Sequence, residues 1–338
     1  MVLGLPLSPG ERERIKTESD WGFLTLETGE VVAIEMASVV KSDIFPTNNS
    51  YPSNLTNVNG TLYFQAFDEV NGVELWKSDG TASGTVLVKD IWVGINSSNL
   101  SNLIDVNGTL YFTANDGVNG TELWKSDGTA SGTVLVKDIL SGSSNSNPSN
   151  LIDINGILYF RANDGLTGVE LWKSDGTEAG TVLVKDIRAG SGGSGVSSLT
   201  NVNGILYFTA DDGVTGPELW KSDGTETGTV LVKDIRTGSD SSNPSNLTNV
   251  NGTLYFTANN GTNPRLWKSD GTADGTVLVK DDWIGFSGLY PSNLTNVNGT
   301  LFFRAIYQGN DGFLGYELWK SDGTATGTVL VKDIQVGS

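Results

Sequence analysis

Short carboxylate and amide side chains recur at a nearly constant spacing, and they are the groups with which this sequence could do chemistry. Asp105 and Asp153 occupy corresponding positions in neighbouring copies of a repeat, and paired carboxylates can hydrolyse glycosidic bonds. Nothing in the sequence brings the two carboxyl groups to the required separation, so we expect no catalysis there. The full set at this position is Asn57, Asp105, Asp153, Asn201, Asn249 and Asn296. Arranged as a ring, these side chains could hold ordered water or a cation, or simply solvate a narrow channel.

The residue types that are missing restrict the chemistry further. The sequence contains no histidine and no cysteine, which excludes disulfides, thiolate zinc sites and cysteine nucleophiles. Histidine is the commonest general base and the commonest transition-metal ligand in proteins, so this sequence lacks the residue most often used for either role. The net charge of −18 repels phosphate groups, so we expect neither a nucleic-acid partner nor binding to anionic membranes. No apolar run reaches the length of about 18 residues that a membrane-spanning helix needs.

A second recurring acidic motif is the Asp-Gly-Thr turn. Aspartate can accept a hydrogen bond from its own backbone two residues on, and glycine tolerates a positive φ, so turn geometry explains the motif without a ligand. Calcium is the alternative, but the alternating carboxylates of a calcium loop are absent. We therefore expect no metal and no cofactor at these turns. Their aspartates are Asp79, Asp127, Asp175, Asp223, Asp270 and Asp322.

The elements that carry these residues follow from a longer repeat, Glu-Leu-Trp-Lys-Ser-Asp-Gly-Thr. Its six tryptophans are spaced by 48, 48, 48, 47 and 52 residues. A period of about 40–50 residues is typical of a propeller blade with four strands. We interpret the tryptophans as structural, with sugar stacking as the alternative. They are Trp76, Trp124, Trp172, Trp220, Trp267 and Trp319.

One copy of the repeat divides into four predicted strands, which we call A to D in chain order. In the second copy they cover residues 102–106, 109–114, 122–126 and 133–139, and Asn107-Gly108 between A and B is a strong hairpin signal. Strands B to D carry large apolar residues on both faces, which predicts that each sheet packs between two others. The long connection follows strand D, so we expect strand A to be innermost.

The sequence thus predicts an all-β fold, a β-propeller of four-stranded antiparallel blades. Residues 51–338 form a six-repeat propeller, and residues 1–50 form an N-terminal segment that lies outside the repeat. Within that segment, residues 21–27 and 30–36 are predicted strands, and residues 38–44 resemble strand D. These strands could close the ring. A seventh blade is the alternative if residues 21–44 form a partial one.

The repeated octapeptide resembles the bacterial ELWxxDGT repeat family over about residues 51–338. The resemblance implies a bacterial, propeller-forming and often extracellular protein, although no signal peptide is visible in this sequence. It transfers no catalytic residues to this chain. The fifth copy departs from the pattern because Arg265 replaces the leading glutamate.

Aromatic residues in three of the variable loops are our candidates for binding. Because blades five, six and one are neighbours in a closed ring, these residues would gather on one side of one face. Exposed aromatic clusters usually mark an interface. The alternative is that they pack locally and brace the ring closure. They are Trp92, Trp283, Phe286, Tyr290, Tyr307 and Phe313.

Together these patterns favour a non-catalytic, extracellular-type propeller that serves as a protein interaction or structural module. Its partner would be a protein or a glycan, and the sequence leaves its oligomeric state open. A multivalent carbohydrate-binding lectin is the first alternative. A carboxylate-dependent polysaccharide hydrolase or lyase is the second.

Overall fold

The computed structural model describes residues 21–25, 31–35, 44, 49–261, 263–280, 290–308 and 314–334. These residues form an all-β structure, and none of them lies in a helix. Strands β1 (Trp21–Thr25) and β2 (Val31–Glu35) pair as an antiparallel hairpin. The other strands form six antiparallel sheets of four strands each, which are the blades of a β-propeller. The predicted fold class is therefore confirmed.

Each blade contains four consecutive strands in the order A, B, C, D across its sheet. Blade one contains β3 (Ser53–Val58), β4 (Thr61–Asp68), β5 (Gly72–Ser78) and β6 (Val86–Lys89). Blade two contains β7 (Ser101–Val106), β8 (Thr109–Asn115), β9 (Thr121–Ser126) and β10 (Val134–Lys137). Blade three contains β11 (Ser149–Ile154), β12 (Ile157–Asn163), β13 (Val169–Ser174) and β14 (Val182–Lys185). Blade four contains β15 (Ser197–Val202), β16 (Ile205–Asp211), β17 (Pro217–Ser222) and β18 (Val230–Lys233). Blade five contains β19 (Ser245–Val250), β20 (Thr253–Asn259), β21 (Pro264–Ser269) and β22 (Val277–Leu278). Blade six contains β23 (Ser292–Val297), β24 (Thr300–Gln308), β25 (Leu314–Ser321) and β26 (Val329–Lys332).

The second blade agrees closely with its predicted strands. Asn107 and Gly108 both have positive φ, as a two-residue hairpin of the primed type requires. Four boundaries differ from the prediction by one residue, and strand D ends at Lys137, two residues before the predicted end at Ile139. The reason is that the backbone N–H of Ile139 donates to the carboxylate of Glu122 and not to the neighbouring strand.

Alternate side chains of blades two to five pack against two different neighbouring blades. We call the face that meets the next blade the forward face; in blade one it comprises Val58, Tyr63, Leu75, Val88 and Ile91. The opposite, backward face meets the preceding blade. In blade two it comprises Leu110, Phe112, Ala114 and Trp124, which pack directly on the forward face of blade one.

The same packing recurs between all consecutive blades up to blade six. The six repeat tryptophans all lie in backward faces and are between 5% and 9% exposed. Burying about 150–250 Å² per tryptophan at ~25 cal/mol per Å² contributes roughly 4–6 kcal/mol for each blade, as an upper bound. The structural interpretation of the tryptophans is therefore confirmed.

The A strands lie at the inner edges of the blades. Each A strand contacts the A strand of the next blade, from β3 with β7 to β19 with β23. Among the described strands, no contact of similar extent joins β23 back to β3. The interface that would close six blades into a ring is therefore not formed by the described residues.

At the other end of the series, Ile44 packs against Phe64, Ala66 and Trp76 on the backward face of blade one. Ile91 and Ile139 occupy the corresponding place on blades two and three. This contact matches the predicted similarity between residues 38–44 and strand D. In the part of the chain that the structure describes, no helix is long and apolar enough to cross a membrane.

Candidate functional site

The variable loops lie on the face of the propeller built by two loop types. BC loops join strands B and C of one blade, and DA loops join strand D to strand A of the next blade. We call this surface the loop face.

A buried glutamate holds both ends of the first DA loop. The carboxylate of Glu74 accepts hydrogen bonds from Ile91 N (3.0 Å), Ser98 N (3.0 Å) and Ser98 Oγ (2.8 Å). The loop is therefore fixed at its beginning and at its end.

The same glutamate clamp recurs in three further blades. Glu122, Glu170 and Glu218 each accept from the isoleucine that follows strand D and from a serine at the end of the loop. Burial raises the pKa of Glu74 to about 7, although the bonds from Ile91 and Ser98 oppose that shift. Burial raises the pKa of the other three for the same reason.

Sequence reasoning missed this clamp, although a signal was present. In each of these four copies a serine stands 24 residues after the glutamate: Ser98, Ser146, Ser194 and Ser242. The fifth copy has Arg265 and, 24 residues later, Leu289, so both members of the pair are replaced together. In the sixth, Glu317 accepts from Ile334 N at 3.0 Å.

The BC loops of blades one to four each expose one aliphatic side chain at the same position. In blade two, the backbone N–H of Val118 donates to Asp116 Oδ1 at 2.9 Å, and this turn directs the valine outward. Partial burial would raise the pKa of Asp116, but the bonds from Asn119 and Val118 outweigh it and lower the pKa. The four residues, which we call the aliphatic row, are 68–77% exposed: Val70, Val118, Leu166 and Val214.

The DA loops lie beside this row. Trp92, at the start of the first DA loop, is half-buried and lies over Gly117, in the BC loop of the next blade. Leu140 and Arg188 take the corresponding place against Gly165 and Gly213. The tip of the first DA loop adds two more apolar residues, Val93 and Ile95, which are well exposed.

One cleft opens beside the loop face, at blade four. Its volume is about 570 Å³, and its lining includes Arg188, Ser194, Ser198, Thr209 and Asn243. Arg188 Nη1 lies 2.8 Å from Asp211 Oδ2, and the pair closes one side of the cleft. The lining is polar and hydroxyl-rich, which suits a small polar ligand.

The structure places only part of the predicted aromatic cluster. Trp92 covers a neighbouring turn, and Tyr307 packs edge-on against Trp319, with 6.2 Å between ring centroids. Tyr290 is exposed and donates from its hydroxyl to Asn263 Oδ1 at 2.6 Å. Trp283, Phe286 and Phe313 lie outside the described residues. The three described residues thus make local contacts, and their role in binding or in bracing the ring closure stays a prediction.

The polar set on the A strands has a local structural role. Each side-chain oxygen accepts a hydrogen bond from the glycine of its own A–B hairpin. In Asp105 and Asp153 these bonds measure 2.7 and 2.9 Å. The set comprises Asn57, Asp105, Asp153, Asn201, Asn249 and Asn296.

The Asp-Gly-Thr turns are also built from internal hydrogen bonds. Asp127 Oδ1 accepts from the backbone N–H and the hydroxyl of Thr129, and these bonds lower the pKa of Asp127. Thr129 Oγ1 in turn accepts from Gly132 N. Among the described residues, no group of three acidic side chains could hold a metal ion.

Comparison with known proteins gives similarity at the level of solved structures. No family model matches the sequence, and no curated protein matches it. The computationally designed Ika8 protein is 14% identical with a TM-score of 0.42, over 89% of this chain and 81% of that one. A puromycin hydrolase is 12% identical with a TM-score of 0.47, over 87% of this chain.

The propeller domain of the Trilobed protease from Pyrococcus furiosus, described as having an open velcro topology, is 12% identical. Its TM-score is 0.44, over 95% of this chain and 97% of that one. This chain spans only 48% of the puromycin hydrolase. Similarities at this level carry no functional information for this chain.

Proposed function

We propose that this propeller is a non-catalytic interaction module that binds a protein partner on its loop face. The observation that carries the proposal is the aliphatic row. Four loops hold an aliphatic side chain outward at one position, and in each case an aspartate accepts a hydrogen bond from its backbone N–H. Isolated exposed aliphatics need no explanation, but a repeated row on fixed loops fits an apolar partner surface.

The glutamate clamps support this proposal. They fix the ends of the DA loops while the loop sequences differ, so the surface beside the row varies without losing its frame. A surface fixed in advance loses less conformational entropy on binding. The charge of −18 favours a partner whose contact rim is basic. An extracellular location is part of this proposal and rests on the family resemblance alone.

Carbohydrate binding is the second candidate, and the cleft at blade four favours it. Its hydroxyl-rich lining suits a sugar, whereas the repeat tryptophans are too buried to stack on one. Binding on a glycan array that is lost in Thr209→Val or Arg188→Ala would favour this candidate over a protein partner.

The decisive experiment uses peptides selected from a displayed library against the intact chain. We expect the triple variant Val118→Ser, Leu166→Ser, Val214→Ser to weaken their binding by at least about tenfold, or ~1.4 kcal/mol. The matched control is Val86→Ser, Val230→Ser, Val277→Ser, which changes three valines exposed at the start of D strands. The proposal is wrong if the selected peptides bind the loop variant and the control equally well.

A further inference from the structure

The forward face of blade six differs from the other five forward faces in its exposure. In blades one to five the valine or isoleucine that ends strand A, the leucine of strand C and the second valine of the Val-Leu-Val-Lys segment are at most 6% exposed. In blade six the corresponding residues Val297, Leu318 and Val331 are 47%, 39% and 43% exposed. The residue types at these positions match those of the other blades, so the difference in exposure comes from the residues that cover the face.

Within the described part of the chain, the lysine side chains of strands C and D on this face also lack the partners that their counterparts have in the other blades. In blade one, Lys77 Nζ donates to Gly128 O at 2.8 Å and Lys89 Nζ donates to Thr133 O at 2.7 Å, both in blade two. Lys89 also lies over the ring of Trp124, 6.0 Å from its centroid. In blade six the corresponding residues, Lys320 and Lys332, are exposed and have no partner among the described residues.

The five interfaces inside the chain define what fits such a face. Its complement is a backward face: a leucine, a phenylalanine and an alanine on strand B, a tryptophan on strand C, and two turn carbonyls that accept from the lysines. We propose that the forward face of blade six is a docking surface for one further blade of this repeat class, presented by a partner polypeptide.

A second copy of this chain does not supply that complement. Among the described blades, the backward face at the end of the series belongs to blade one, and there Phe64 and Trp76 are already buried, with Ile44 against them. Pairing two forward faces of blade six would bring four lysines together without acceptors. The proposal does not depend on the loop-face function, because the two surfaces share no residue.

The probe is a synthetic polypeptide with the sequence of residues 97–139, which carries the four strands of blade two. We expect saturable binding to the intact chain, measured by fluorescence anisotropy of labelled probe. Leu318→Glu should weaken binding by at least about tenfold, and so should the double variant Lys320→Glu, Lys332→Glu. Val230→Glu, at a valine of blade four that is 37% exposed and lies outside this face, should leave it unchanged.

A probe with Phe112→Ser and Trp124→Ser lacks the backward face and should not bind. Absence of saturable binding by the unchanged probe overturns the proposal, as does equal binding to Leu318→Glu. A dimer of the chain that Leu318→Glu dissolves would show that a second copy covers the face, and the proposed occupant would be wrong. Slow maleimide labelling of Leu318→Cys in the isolated chain would show that its own residues cover the face, with the same consequence.

Discussion

At the scale of single residues, the clamp glutamates show how a carboxyl side chain can be buried in a propeller. Glu74 is fully buried and accepts hydrogen bonds from Ile91 and Ser98, groups that would otherwise be buried without partners. Burial nevertheless disfavours the charge and raises the pKa. The turn aspartates behave oppositely, because Thr81 donates two bonds to the exposed Asp79 and lowers its pKa.

These opposite shifts predict how stability depends on pH. Folded Glu74 keeps its proton up to about pH 7, whereas the unfolded chain loses it near its usual pKa of 4.5. Between these values the folded state binds more protons, so the free energy of unfolding rises as the pH falls. Urea unfolding between pH 8 and pH 5 should show this rise, and Glu74→Gln should make it shallower.

Asp79→Asn is the control for this measurement. Because the pKa of Asp79 is lowered on folding, its contribution is present above the usual value of 3.8 and is lost at more acidic pH. The variant should leave the dependence between pH 8 and pH 5 unchanged. A stability that falls steadily from pH 8 to pH 5 in the unchanged chain would contradict the role of the glutamates.

At the scale of elements, the Asp-Gly-Thr turn of blades two to six is a contact point for the preceding blade. In blade three a Cβ on Gly176 would lie 2.1 Å from the hydroxyl of Tyr111, which belongs to blade two. Burial raises the pKa of Tyr111, and the nearby charge of Asp175 adds to the effect. In blade one the corresponding Gly80 has nothing within 4 Å of that position.

Two alanine substitutions isolate this contact between blades. Gly176 and Gly80 have φ of +88° and +91°, so alanine costs about 1–2 kcal/mol of backbone strain at either position. Gly176→Ala must also displace Tyr111, which we expect to add about 1–3 kcal/mol of destabilisation. Equal losses of unfolding free energy in the two variants would contradict this account of the turn.

At the scale of the whole molecule, stability is distributed along a series of blades that each bury the next one's apolar face. Interior blades are covered on both sides, whereas the described residues cover blade six only on its backward face. In such an arrangement the effect of a substitution depends on its place in the series, even where the local sequence is identical.

Leucine-to-alanine substitutions at one repeat position test this dependence. Leu171 is fully buried between blades three and four, and Leu171→Ala should cost about 2–5 kcal/mol. Leu318, at the same position of blade six, is 39% exposed, and Leu318→Ala should cost less than about 1 kcal/mol. Denaturant unfolding at low protein concentration measures both, and similar losses would mean that the end face is covered in solution.

The sequence by itself determined the blade, because everything that defines it is local and repeated. The spacing of the tryptophans, the Asn-Gly hairpin and the runs of neighbouring apolar residues such as Leu110, Tyr111 and Phe112 predict four strands with two buried faces. The aliphatic row and the clamp serine were also visible in the repeat. Their roles were not visible, because the exposure of the row and the hydrogen bonds of the serine depend on how the loops fold. Each clamp serine lies 24 residues from its glutamate in the chain.

Only the tertiary structure decided what happens where the series of blades ends. Leu171 and Leu318 occupy the same position in the repeat, and nothing local distinguishes their environments. Burial is a property of the neighbouring blade, and the described residues place a neighbour on the forward face of five blades and not on the sixth. A repeat specifies how one copy packs against the next, but the completion of the series depends on the geometry that all copies build together.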